Sequence, residues 1–181
     1  MKYCSECGHT VSQKIPKGDD RLRYVCDNCG AIHYQNPRII VGTLPVYGDQ
    51  VLLCRRAIEP RKGFWTLPAG FMENGETTVE GAVRESWEEA RARLSNEKLY
   101  RLFDLSYIDQ VYMFYLADLV DGEFSAGPES LDVKLFNEAD IPWDEIAFGV
   151  VVDTLKEFFE DRKKGLFPVR ISNTERTRLK R

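Results

Sequence analysis

Three glutamates in "RESWEEARARL", Glu85, Glu88 and Glu89, stand at i, i+3 and i+4, so a helix through them gathers their carboxylates on one side. Two readings compete for such a cluster. It is a solvated face balanced by Arg84, Arg91 and Arg93, or it is a site for a hard divalent cation. Mg²⁺ or Mn²⁺ binds through one or two carboxylates together with substrate phosphates. The preceding "LPAGFMENGE" favours the cation. Its glycines and proline make a tight loop that can turn a backbone carbonyl, that of Ala69, toward the ion, and the loop leads into a fourth carboxylate, Glu76.

A second constellation is built from sulfur. Cys4 and Cys7 in "CSEC", and Cys26 and Cys29 in "CDNC", form two CxxC pairs, each followed by glycine. Four thiolates in a tetrahedral array favour Zn²⁺ and leave no open position for chemistry, so the expected role is structural. The polar segment between the pairs cannot form a core alone, which makes the metal the source of its stability. His9 and His33, just beyond the pairs, are the alternative ligands. A redox pair would need a βαβ setting that is missing here, and disulfides do not suit an intracellular chain. Lys14, Lys17, Arg21 and Arg23 against Asp19 and Asp20 give too weak a surplus for a nucleic-acid patch, so the module is read as a packing or dimer-forming appendage.

The elements that must position the glutamates are legible around them. "IIVGTLPVY" and "QVLLCRR" flank Gly48-Asp49 as a hairpin, with Cys54 a buried small hydrophobe. "TTVEGAVRESWEEARARL" places Val79, Ala82, Val83, Ser86, Trp87 and Ala90 on one helical face, with Thr77 or Thr78 as cap and Trp87 as the expected anchor into the core. "VYMFYLADLV" and "DVKLF" read as strands, and "VVVDTLKEFFEDRKK" as a closing amphipathic helix. The pattern predicts an α/β fold, a mixed sheet covered by helices on two sides. Three segments are expected: a zinc ribbon over 1–35, the main domain over 36–165, and a basic, loose tail over 166–181. Composition is that of a soluble globular protein, 43% hydrophobic and 30% charged with net charge −4, without a secretory h-region or a membrane-length apolar run. A cytoplasmic location follows as the expectation.

Gly70-x5-Glu76-x7-Arg84-Glu85-x2-Glu88-Glu89 resembles the signature of the Nudix hydrolases, G-x5-E-x7-R-E-U-x-E-E-x-G-U with U aliphatic. The resemblance covers about residues 38 to 160 and implies an α/β/α sandwich that uses a divalent metal to direct water onto a pyrophosphate. It further implies that the Ala69 carbonyl, Glu85 and Glu89 are metal ligands and that Glu88 is a further ligand or the base. Arg84 and Glu76 become a salt-bridged support, and Glu129, in "GPESLDVKLF", an extra ligand or the base. Two positions depart from the pattern: Ser86 at a U position, and Arg91 at the closing glycine. Arg91 must adopt a left-handed cap, or the helix must run on to Arg93.

"HYQNPR", "GFWTLPAGFMENGET" and "GPESLDVKLFNEADIP" are similar to the zinc-ribbon-bearing Nudix group, including FAD and ADP-ribose pyrophosphatases. The NADH pyrophosphatases of that group carry an "SQPWPFP"-like stretch that is not found in "LYRLFDLSYIDQVYMFYLA". The expected substrate is therefore a nucleotide sugar or dinucleotide, ADP-ribose or FAD first, with NADH or an RNA cap as alternatives. Nucleic acid is expected only as a capped substrate, and the resemblance leans toward a homodimer. Phe64, Trp65, Tyr107 and Phe148 are candidate nucleobase contacts. A rival of another class is a zinc-ribbon RNA- or protein-binding scaffold, suggested by the ribbon and the basic "RISNTERTRLKR".

Overall fold

In the computed structural model, which describes residues 1–173, the chain divides into two compact units, Met1–Pro37 and the remainder from Arg38. The first unit is a three-stranded antiparallel sheet of β1 (Val11–Lys14), β2 (Arg23–Cys26) and β3 (Ile32–His33). Its four cysteine sulfurs lie within 4.8 Å of one another, with Cys4 to Cys29 at 3.7 Å and Cys7 to Cys26 at 3.5 Å. Four sulfurs around one tetrahedral Zn²⁺ stand about 3.8 Å apart, so the spacing fits that ion. The amides of Gly8 and Gly30 close the two knuckles onto the carbonyls of Cys4 and Cys26. Neither histidine replaces a cysteine. His9 Nδ1 lies 3.1 Å from the Cys7 carbonyl oxygen, and His33 Nε2 lies 3.2 Å from the Cys4 sulfur, where it supports the cluster from outside.

The second unit is built on one mixed sheet. Its strands are β4 (Arg38–Tyr47), β5 (Gln50–Arg56), β6 (Trp65–Thr66), β7 (Ala69–Phe71), β8 (Leu94–Leu105), β9 (Gln110–Leu119), β10 (Ser130–Phe136) and β11 (Arg170–Asn173). The order is β10-β5-β4-β9-β8-β11, with β6 beside β5 and β7 beside β4. β4 runs parallel to β9 along one edge, while its other edge is shared by β7 over Ile40–Gly42 and β5 over Val46–Tyr47. Pro45, which has no amide hydrogen, falls in the interval between those two partners.

Helices α1 (Thr78–Ala90) and α2 (Gly149–Lys164) cover opposite faces. Strand alternation sorts the side chains between them. Val41 and Tyr115 pack with Ala82 under α1, whereas Leu44, Leu53 and Phe114 pack with Leu155, Phe158 and Phe159 of α2. The result is an α/β/α sandwich, and among the described residues no helix is long and apolar enough to cross a membrane.

Three differences from the sequence reading have physical causes. Trp87 is not a core anchor: it is 46% exposed, and the buried stripe of α1 runs through the small residues Ala82, Ser86 and Ala90. Small side chains let the helix lie close on β4, where the Ser86 and Thr43 hydroxyls meet at 2.6 Å. β8, twelve residues long, does not stand out in the sequence because Asn96, Glu97 and Lys98 interrupt its apolar pattern where its register with β9 shifts. The segment from 166 is not loose throughout. Arg170–Asn173 forms an edge strand parallel to β8, held by Arg170, whose guanidinium makes two bonds to the buried Asp161. The rest of the expected tail, 174–181, lies outside the described residues.

Candidate active site

α1 begins with a capping box. The Thr77 hydroxyl accepts from the Glu80 amide, and the Glu80 carboxylate accepts from the Thr77 amide at 2.7 Å. From that fixed start, Arg84 becomes the hub of the glutamate face. Its guanidinium donates to both oxygens of Glu76 (3.0 and 2.8 Å), to Glu85 (2.7 Å), to Glu88 (3.1 Å) and to the Phe71 carbonyl (3.1 Å). One cation thus ties the β7 loop to the helix. The Glu76 carboxyl is held down to about 2, chiefly by its bonds from Arg84, and the same bonds raise Arg84 further above its ordinary value.

Glu85 and Glu89 face inward. Burial raises both carboxyls, Glu89 to about 8, with the charge of Glu85 adding to the effect on Glu89. The Ala69 amide donates to Glu89 at 3.2 Å, so β7 touches the helix beside both residues. Gly70 is what makes this approach possible, since a Cβ there would stand 2.4 Å from the Glu85 carboxylate. Glu88 is the open member of the set, its side chain 54% exposed.

α1 stops at Ala90, and Arg91 takes the left-handed cap at φ 49°, ψ 24°, its amide turned back to the Ser86 and Trp87 carbonyls. A non-glycine residue there costs about 1 kcal/mol. The Arg91 guanidinium folds over the Trp87 ring at 5.6 Å and donates to the Trp87 carbonyl at 3.3 Å. The loop after β9 then docks on the helix end: the Ser125 amide donates to Ala90 and the Gly127 amide to Glu89, both at 2.9 Å. A Cβ on Gly127 would fall 1.7 Å from the Glu88 carbonyl oxygen, so only glycine fits. Two residues on, the Glu129 carbonyl accepts from Ala57 at 2.8 Å, which fixes the backbone that carries the Glu129 carboxylate.

These groups share one cavity of about 820 Å³. Ala69, Arg84, Glu85, Glu88, Glu89 and Glu129 line it, as do Tyr107 and Phe148. Glu76 stands behind Arg84 rather than in the lining. Phe64 and Trp65 are not brought to it. Trp65 is buried, edge-on to Phe136 at 5.0 Å, and Phe64 lies half-buried beneath Arg61. Three lining residues of note were not picked out in the sequence. Arg56 spreads over the Phe148 ring at 5.2 Å, with Nε donating to the Pro60 carbonyl. Tyr112 and Leu105 extend the apolar wall. The available sequence signal for Arg56 was its place at the end of a buried strand, where a charged residue must emerge beside the loops.

The donor set suits a hard cation. It is made of carboxylate and carbonyl oxygens gathered on one wall, and Glu85 and Glu89 are partly desolvated, the main cause of their raised carboxyls. Among the described residues only the four cysteines converge as tightly as a closed metal site. The glutamates instead line a common wall, which is compatible with an ion that keeps waters and takes substrate oxygens.

Comparison with known proteins places this geometry in a family. Residues 36–154 match the NUDIX domain model, and residues 2–35 match the Nudix N-terminal zinc-ribbon model. A crystal structure of a NUDIX hydrolase from Nitrosomonas europaea is 51% identical, covering 96% of this chain and 99% of that one, with a TM-score of 0.93. The NAD-capped RNA hydrolase NudC of Edwardsiella ictaluri is 30% identical over 72% of this chain, which spans 49% of that protein's length. An ADP-ribose pyrophosphatase of Methanocaldococcus jannaschii is 28% identical over 75% of this chain and 78% of its own. The chain therefore belongs to the Nudix family, with a zinc-ribbon module ahead of its Nudix domain.

Proposed function

We propose that this protein is a pyrophosphohydrolase that cleaves the diphosphate joining a nucleoside to a second phosphorylated moiety. The observation that carries the reading is the gathering of Glu85, Glu88, Glu89 and Glu129 on one cavity whose other wall is apolar and aromatic. Charge for a cation and phosphates lies at one side, and surface for a flat ring at the other.

Glu85 and Glu89, with the Ala69 carbonyl, would hold Mg²⁺ or Mn²⁺. The ion, when bound, neutralises charge on the diphosphate and acidifies water. The protein's own part is positional. Arg84 fixes Glu85 and Glu88 against Glu76, so the carboxylates are set before substrate arrives. Glu88, open to solvent, or Glu129, on its pinned backbone, accepts the proton of the attacking water. Water adds to one phosphorus, the bridging oxygen leaves with the other, and two phosphomonoesters result. The cysteine cluster would hold Zn²⁺ away from this chemistry.

For the substrate, similarity to NAD-capped RNA hydrolases of several bacteria favours an NAD-type cap, giving nicotinamide mononucleotide and a 5′-phosphorylated RNA. This reverses the preference drawn from the missing "SQPWPFP"-like stretch. ADP-ribose, cleaved to AMP and ribose 5-phosphate, is the second reading, supported by the larger share of the archaeal pyrophosphatase that this chain covers. FAD belongs to the same chemical class. The test is a product-resolved screen with Mg²⁺ and Mn²⁺ across NAD-capped RNA, NAD, NADH, ADP-ribose and FAD. Glu88→Gln and Glu89→Gln are expected to keep the fold and to lose roughly 100-fold or more of metal-dependent turnover. Wild-type rates in both variants would overturn the site assignment.

A further inference from the structure

Arg91 and Trp87 hold an arrangement that the diphosphate chemistry does not use. Arg91 keeps a left-handed backbone, φ 49°, that glycine would adopt without strain. Its guanidinium has no carboxylate partner among the described residues and lies over an indole left 46% exposed. A large apolar ring at the surface and a strained backbone are both unfavourable, and the two occur together beside the reactive cavity. Arg91 lines that cavity next to the solvent-open Glu88 and the Glu129 loop. The wall there is strongly acidic, so a phosphate-bearing ligand leaving the cavity on this side needs a cationic anchor.

We propose that the Trp87–Arg91 pair is a platform for a nucleotide unit that projects from the cavity, the indole and guanidinium stacking on its base and the guanidinium pairing with its phosphate. Stacked arginine and tryptophan suit this ligand because every base has a flat face and guanidinium matches phosphate oxygens. This rests on the proposed hydrolysis and deepens it: the platform reads whatever nucleotide extends beyond a compact substrate. That unit has two possible sources, the second nucleotide of a dinucleotide or the first residues of an RNA attached to a cap.

The experiment compares wild type, Arg91→Gly and Trp87→Ala on ADP-ribose, on NAD and FAD, and on an NAD-capped RNA oligonucleotide. Glycine suits the backbone angle at position 91, so this variant is expected to fold. The expected result is selective: relative to ADP-ribose, kcat/KM for an extended substrate falls about 5- to 100-fold, with the loss in KM rather than kcat. A selective loss with the dinucleotides assigns the platform to their second nucleotide, and a loss confined to capped RNA assigns it to the RNA. Equal loss on all substrates, or none on any, overturns the proposal, because a purely structural role of the pair does not distinguish substrate lengths. Equilibrium binding of the same ligands without divalent cation supplies an independent readout. If wild type cleaves none of them, the hydrolase reading fails. A selective weakening of extended ligands by Arg91→Gly would still support the platform, and its absence would still overturn it.

Discussion

Gly127→Ala is the substitution that tests how the site is assembled. The added Cβ would stand 1.7 Å from the Glu88 carbonyl oxygen, where real Cβ contacts stop at about 3.0 Å, so something must move by about 1.3 Å. The helix is the fixed partner, clamped by Arg84 to Glu76 and by Ser86 to Thr43. The loop must therefore shift, weakening the bonds from Gly127 to Glu89 and from Ser125 to Ala90, and pulling on the Ala57 bond to the Glu129 carbonyl. Hydrogen bonds of this kind contribute about 1 kcal/mol each, and overpacking adds a similar amount, so destabilisation of about 2 to 3 kcal/mol is expected. Glu129 moves with the loop, and a misplacement of about 1 Å in a reacting constellation costs roughly 100-fold in rate. The assay is thermal unfolding together with kcat and KM under saturating Mg²⁺, for Gly127→Ala, Glu129→Gln and the double variant. The expected pattern is a fall in kcat of roughly 100-fold in each single variant and little further loss in the double. If Gly127→Ala lowers stability as stated but leaves kcat within threefold while Glu129→Gln abolishes it, the loop does not position Glu129 and the reasoning is wrong.

Three further outcomes follow from the structure. Glu89, whose folded value is raised to about 8 by burial, favours the folded state fully below about 4.5, the value of an unhindered carboxyl, and loses that contribution as pH rises through about 8. The metal-free protein should therefore lose stability from pH 5 to 8, and Glu89→Gln should flatten that part of the curve in denaturant titrations. Asp161→Ala strips partners from the buried Tyr100 hydroxyl, which donates to it at 2.7 Å, and from Arg170. It should cost about 3 kcal/mol and expose the β11 amides to hydrogen exchange before the rest of the sheet. Cys26→Ser should abolish retention of one zinc per chain, read by metal analysis, and unfold the ribbon, while circular dichroism of the Nudix domain is largely kept.

The glutamate cluster, its loop and the cysteine pairs were legible because their chemistry is local. Glu85, Glu88 and Glu89 lie within five residues on one element, and each CxxC closes within one knuckle. Arg56, Tyr112 and Gly127 were not legible, because Arg56 and Tyr112 reach the cavity from separate strands and Gly127 acts through the loop that carries Glu129, far in sequence from the helix it meets. Strand β11 was hidden for the same reason. Its support is Asp161, nine residues back across a helix end, and its pairing partner β8 lies about seventy residues earlier.

Trp87 shows why periodicity alone misjudges a helix that carries a site. Its spacing from Val83 and Ala90 fits an apolar stripe, and hydrophobic area would favour burying it. Yet α1 has to present Glu85 and Glu89 inward against β7 while resting on β4. Only small residues at 82, 86 and 90 allow the required closeness. The polar Ser86 is buried because Thr43 satisfies its hydroxyl, and the partly desolvated Glu89 is retained with a bond from Ala69. With those faces assigned, the indole has nowhere to go but outward. The same constraint that brings the carboxylates to the cavity leaves an aromatic residue beside its rim, so the local energetic losses in this helix concentrate where a ligand could recover them.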